Sequence, residues 1–163
     1  MQLSTQGIQL LQSIEKLALQ PYDDQNGKTI TTWCKGATIG YGHLIAQKDW
    51  STYQNGIDQA GAEQLFQQDL TPFTKAVSHK VTASIAQHEF DALVILAFNI
   101  GVGNFSSSSV LKLVNNPAAH TAYANLEAAW KAWNQSQGHV MTGLNNRRQA
   151  EWNIYSQGIY KGW

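Results

Sequence analysis

Charge is scarce in this chain. Asp, Glu, Lys and Arg make up 13% of its 163 residues, and the 11 basic side chains cancel the 11 acidic ones. A nucleic-acid footprint needs clustered basic residues and a high pI, so no nucleic-acid partner is expected. The balance shifts along the chain: residues 1–91 hold nine acids and six Lys or Arg, residues 92–163 two acids and five. This mild basic surplus could meet an anionic polymer, but an ordinary solvated surface carries differences of the same size. Cysteine is nearly absent. Cys34 alone cannot form an internal disulfide, so the fold must stand without one, as suits synthesis in a reducing cytoplasm. No stretch approaches the roughly 18 consecutive apolar residues of a membrane span. The N-terminal MQLSTQGIQLLQSIEK has no basic n-region and no small-residue cleavage site, so no signal peptide is expected. Repeats, linkers and low-complexity tracts are missing too. One domain over residues 1–163 is expected, long enough to bury a real core.

What is present reads as helices around one small β region. Ser4 precedes an apolar stripe at Ile8, Leu11 and Ile14, which predicts a capped helix ending near Leu19–Pro21. Residues 22–47 turn to Thr, Gly, Tyr and Asn, with the hairpin signal Asn26-Gly27, and predict two or three short strands. Asp58 is a candidate cap for a helix with Ala62, Leu65, Phe66 and Leu70 inward. Ser84-Ile-Ala-Gln87 has capping-box spacing. Phe90–Phe98 is apolar on nearly all sides, predicting a buried central helix that Gly101 and Gly103 end. Shorter helices are expected around 106–115, 119–134 and 145–157. The fold class is α+β, mostly helical with a small antiparallel β-hairpin subdomain near the N-terminus. Residues of about 20–50 would form a β-rich lobe, and 1–19 with 58–163 a helical one.

Carboxylates stand on both sides of the helix-to-hairpin junction. Glu15 lies near the end of the first helix, and Asp23 and Asp24 open the hairpin. Two carboxyls flanking a cleft are what glycosidic hydrolysis requires: one protonated to donate to the leaving oxygen, one ionised to activate water or attack the sugar. A Glu near a helix end is usually a solvated side chain, and spacing alone favours that reading. His43 could be a ligand or a base. No Cys/His cluster surrounds it, so the structural reading is a His paired with a carboxylate of the next helix, with Asp69 as candidate. Cys34 has no activating motif around it. Arg147 and Arg148 read as a solvated helix face with an Arg148–Glu151 pair at i, i+3. Trp130, Trp133 and Trp152 read as core or helix contacts, whereas Trp33 and Trp50 are better candidates for exposed rings.

Glu15, then Asp24 nine residues on, then Thr38-Ile-Gly-Tyr-Gly-His43 resembles the Glu–Asp–Thr active site of phage-type lysozymes, glycoside hydrolase family twenty-four. Further blocks are similar in the same order: Asp58 to Leu70, Phe90-Asp-Ala-Leu, Phe98-Asn-Ile-Gly-Val-Gly-Asn-Phe105 and Gly143-Leu-Asn-Asn-Arg147-Arg148-Gln-Ala-Glu151. Together they cover about residues 4–158. The resemblance implies Glu15 as general acid, kept protonated by partial burial, and Asp24 as the ionised partner that positions water or stabilises the transition state. It implies Thr38 as the hydroxyl holding that water, and Arg147 near Glu15. Asn99 and Phe105 would line the substrate cleft, with Tyr41 and Leu44 on its β side. Asp24 is preferred to Asp23 by the family spacing, and because adjacent strand residues face opposite ways. The chain departs from the compact family pattern in one place. Fourteen positions separate Asp24 from Thr38, and Lys28-Thr-Ile-Thr-Thr-Trp-Cys-Lys35 looks inserted, lengthening the hairpin. Thr29, Thr31 and Thr32 are nearer in sequence, but the Ile-Gly-Tyr-Gly-His motif anchors Thr38.

The expectation is therefore an endolysin muramidase that cuts the β-1,4 bond after N-acetylmuramic acid in peptidoglycan. No cofactor or metal is implied. The enzyme would act as a monomer, without obligate membrane contact, and would accumulate in the host cytoplasm until a holin opens the inner membrane. The lack of a separate wall-binding module would fit a Gram-negative host. An inverting outcome is expected, with the carboxyls roughly 6.5–9.5 Å apart. Two alternatives stand beside it: a lytic transglycosylase on the same fold, which uses one acid, and a lysozyme-like module that binds glycan without cutting.

Overall fold

Ser4 starts the first helix as its sequence position predicts. In the computed structural model, which describes residues 1–163, its Oγ accepts the Gly7 N–H at 3.1 Å. This cap satisfies one orphan donor of helix α1, Thr5–Ile14, which buries Leu10 and Leu11. The helix stops at Ile14 rather than near Leu19–Pro21. Strand β1, Ala18–Asp23, claims the following residues by pairing antiparallel with β2, Ala37–Gly40, and Pro21 has no N–H to continue a helix. The chain forms two compact units, residues 12–71 and residues 1–11 with 72–163.

Within residues 12–71, β2 lies between β1 and β3, His43–Leu44. The register sets Tyr22 opposite Thr38 and Thr38 opposite Leu44. The Asn26-Gly27 signal makes a turn: Gly27, at φ 70°, donates its N–H to Asp23 O at 2.7 Å. The chain then returns beside β1, with Thr29 bridged to Tyr22. The segment read as a lengthened hairpin tip folds back instead. Trp33 Nε1 donates to Ile45 O at 2.9 Å. Its ring and Cys34 pack on a small core of Ala37, Ile39, Ile45 and Leu65. Trp50 packs there too, so neither Trp33 nor Trp50 is an exposed ring. After helix α2, Trp50–Tyr53, Asp58 caps helix α3, Gln59–Lys80, by accepting the Gly61 N–H at 2.7 Å.

The other unit is built on helix α4, Gln87–Ile100, in which Phe90 to Ala97 are all buried. Its start is fixed by Glu89, which accepts the Ala86 N–H at 2.6 Å, and not by Ser84. Gly101, at φ 89°, ends it, but Gly103 lies inside the next helix, α5, Val102–Ser107. Helices α6, Ser109–Asn115, α7, Leu126–Lys131, and α8, Thr142–Gln157, follow. Asn125 caps α7, so only the later part of the expected 119–134 helix forms. A two-residue ladder of β4, Gln135–Ser136, with β5, His139–Val140, was not expected. Gln137 and Gly138 turn it, both at positive φ, as tight hairpins require.

Asp91, wholly buried on α4, accepts from Ser4 N at 3.0 Å, Gln87 Nε2 at 2.8 Å and Tyr160 OH at 2.6 Å, and also from the Ser4 hydroxyl. One satisfied carboxylate thereby ties the start of α1 and the C-terminal tail to the central helix. Trp130 is core, as expected, and Trp152 stacks on Tyr155 at 5.5 Å. Burial in this aromatic group pushes the Tyr155 hydroxyl up to about 12, with the Glu89 carboxylate adding to it. The ordinary phenol ionises near 10. Tyr155 therefore contributes stability that is fully present below pH ~10 and is lost as pH rises from ~10 towards 12, because the unfolded state gives up the proton first. Tyr155→Phe is expected to flatten the alkaline decline of the melting temperature across that interval. An identical decline in variant and wild type would contradict this.

Candidate active site

The loop-and-strand stretch 36–42 positions the predicted catalytic residues of the β-containing unit. At its start, Gly36 O accepts the Asp24 N–H at 2.9 Å and the Thr38 hydroxyl at 3.0 Å. The β1–β2 register, Tyr22 with Thr38 and Asp23 with Ala37, continues to Asp24 opposite Gly36. Asp24 and Thr38 are therefore brought together despite the fourteen positions between them, because the inserted residues fold away under the sheet. At the other end, Gly42 turns at φ 88°, and a Cβ placed there would stand 3.7 Å from Glu15 Oε2. Glu15 is half-buried just beyond α1, and its carboxyl lies over this turn.

Asp23 does not face away from Asp24 as strand alternation suggests. Asp24 already belongs to the turn, and both Oδ1 atoms reach the Cα side of Gly36. Asp23 is nevertheless engaged as a turn residue, accepting from Gln25 N at 3.0 Å and Asn26 Nδ2 at 2.9 Å. His43 Nδ1 lies 3.0 Å from Asp69, and the His43 ring sits 5.6 Å from that of Tyr53. Tyr41 packs on Phe66 at 5.2 Å, while Leu44 is 59% exposed.

Tyr22 was not singled out in the sequence. It sits opposite Thr38, and the Lys16 ammonium lies 5.8 Å from its ring centre. Burial raises the pKa of its hydroxyl, and the Asp24 and Glu15 carboxylates both push it further in the same direction. Both acids thus act on one phenol.

Phe105 is corrected. Its side chain is wholly buried, because the turn at Gly101 folds α5 back on α4, with the Phe105 N–H on Gly101 O at 3.0 Å. No sugar face can reach it. Asn99 ends α4 exposed, with its Oδ1 accepting from Arg148 Nη2 at 2.6 Å. Arg147 and Arg148 are not a solvated face: both are buried around Glu151. Arg147 Nε donates to Glu151 Oε1 at 2.9 Å and Arg148 Nη2 to the same oxygen at 3.0 Å.

The family model for phage lysozyme matches residues 12–151. This chain belongs to the phage lysozyme family. It is similar to the endolysin of Bacillus phage PZA, 39% identical over 161 residues, which is 99% of this chain and 57% of that relative. It thus spans little more than half the length of that relative. Among solved structures it is similar to an endolysin from Escherichia coli O157:H7 phage FAHEc1. There the TM-score is 0.74 at 29% identity, covering 99% of this chain and 97% of the other. The muramidase domain of SpmX from Asticaccaulis excentricus gives 0.72 at 28% identity, with 96% and 98% covered. The lysozyme-like α+β class expected from the sequence is the fold observed.

Proposed function

We propose that the chain is a muramidase that hydrolyses the β-1,4 bond after N-acetylmuramic acid in peptidoglycan, and that it serves host-cell lysis as an endolysin. The observation that carries this reading is the sharing of one carbonyl, Gly36 O, by Asp24 and Thr38, with Glu15 over Gly42 a few residues further on. Glu15 gives its proton to the glycosidic oxygen as the bond from that oxygen to the anomeric carbon breaks. A water held by Asp24 and Thr38 attacks the carbon from the opposite face, and its proton passes to Asp24. Tyr41 and Leu44 border the same stretch and are proposed to meet the sugars. His43 and Asp69 support the turn after β2. The family resemblance of the Glu, Asp and Thr positions supports these roles.

The enzyme is proposed to act as a monomer on the periplasmic face of the wall, reaching it from the host cytoplasm through a holin lesion. No helix is long and apolar enough to cross a membrane. Mass spectrometry of digested peptidoglycan tests the reaction. Reducing muramic ends, formed first as the α-anomer, are expected. Anhydromuramic ends would identify the transglycosylase instead, and undigested strands a binding module.

A further inference from the structure

We propose that Gly36 is a positioning residue that sets both the place of the Asp24 carboxylate and the hydrogen-bond polarity of Thr38. The inference rests on the proposed catalytic roles of Asp24 and Thr38. Two features of Gly36 act together.

The first is its missing side chain. A Cβ at Gly36 would stand under 3.0 Å from both Asp24 Oδ1 and Asp23 Oδ1, and 3.3 Å from Asp24 Cγ. The backbone of Gly36 has no positive φ, so an alanine is conformationally acceptable there. The only conflict is with the two carboxylates. Both carboxylates must give way, and Asp24, which lacks the Gln25 and Asn26 contacts that hold Asp23, swings the farther. The seat of the Asp24 carboxylate is therefore the space that glycine leaves empty.

The second feature is its carbonyl. Thr38, only 4% exposed, donates its hydroxyl proton to Gly36 O. With that proton committed, Thr38 Oγ can only accept. The ionised Asp24 carboxylate can also only accept. A water lodged between them must donate both of its protons, one to each. Its lone pairs are then turned outward, and the oxygen is presented as a nucleophile. Were the Thr38 proton free, it could point at the water and occupy the lone pair that has to attack. The same carbonyl holds the Asp24 N–H, so the Asp24 backbone and the Thr38 hydroxyl are pinned at one point.

The test is Gly36→Ala in the full chain, assayed on dye-labelled peptidoglycan over a substrate series, beside Asp24→Ala and the double variant. A displacement of this kind is expected to lower kcat by ~100-fold, with KM within about twofold of wild type and the melting temperature nearly unchanged. Since Gly36 acts through Asp24, adding Gly36→Ala to Asp24→Ala is expected to lower the residual rate no further. Wild-type kcat in Gly36→Ala, with Asp24→Ala impaired, would overturn the inference and leave the reading of the site intact. Full activity in Asp24→Ala would remove that reading and this inference with it. If Gly36→Ala alone fails to fold, a variant that also replaces both Asp23 and Asp24 with Ala must fold and match the Asp23→Ala/Asp24→Ala control, because both carboxylates have left the Cβ; an unfolded triple variant refutes the proposal.

Discussion

Glu15→Gln is expected to abolish lysis of chloroform-treated Gram-negative cells while leaving the fold unchanged. The substitution keeps the shape of the side chain and removes only the proton that would be given to the leaving oxygen. General acid catalysis contributes typically 10²–10⁴-fold. Departure of a sugar hydroxyl without protonation lies at the demanding end, so a fall of about 10³-fold or more in kcat is expected, with KM little changed. The signature is a loss in the chemical step, since an amide can still hydrogen-bond the sugar. Turbidity loss and reducing-end release, read beside the melting temperature, check it. Undiminished lysis by a folded Glu15→Gln variant would show that Glu15 is not the acid.

The residues legible in advance were those whose roles are local. Ser4 and Asp58 cap helices because a short polar side chain next to an apolar stripe reaches its own backbone. Asn26-Gly27 makes a turn for equally local reasons, and Phe90–Ala97 is buried because Asp91 is its one polar side chain. The places of Trp33, Phe105 and Gly36 depend on what a remote strand or helix does. Trp33 looked like an exposed ring until its indole met Ile45 O across the sheet. Fourteen positions between Asp24 and Thr38 looked like distance, yet antiparallel register makes such a gap irrelevant once the excess folds away. Gly36 was invisible because its role is a vacancy, and a vacancy has meaning only when the two aspartates are in place. Arg147 and Arg148 were read as solvated because isolated charge is costly to bury. Burial becomes tolerable because Glu151, on the same helix, supplies the counter-charge, and Ile95 O and Asn99 Oδ1 of α4 add acceptors.

Those partners make Glu151→Ala the substitution with the largest expected effect on stability. Glu151 is fully buried and faces two buried guanidiniums. Its Oε1 accepts from Arg147 Nε and Arg148 Nη2, and its Oε2 from the Trp130 indole at 3.1 Å. Arg148 Nε also lies 2.9 Å from Oε2, but off the line of a hydrogen bond. Burial pushes the Glu151 carboxyl up, while the two guanidiniums pull it back towards the ionised form. Burial likewise lowers Arg148, and Glu151 opposes that. The carboxylate is therefore what makes two adjacent cations tolerable in the interior. The other acceptors, Asn99 Oδ1 and Ile95 O, are uncharged, and the Trp163 ring 4.8 Å from Arg147 offers only its π face. Removing Glu151 leaves Arg147 and Arg148 repelling each other out of contact with bulk water, and strands the Trp130 N–H. Breaking a buried ion pair by deleting one partner costs about 3–5 kcal/mol. For a chain of this size each kcal/mol moves the melting temperature by ~2–4 °C, so a fall of roughly 6–20 °C is expected. A variant melting within a degree or two of wild type would show that the cluster contributes little. The direction is sharpened by a companion: Glu151→Gln keeps the indole hydrogen bond and the volume but not the charge. If charge compensation is the main role of Glu151, Gln should recover only a minor part of the loss. If packing and hydrogen bonding dominate, Gln should recover most of it.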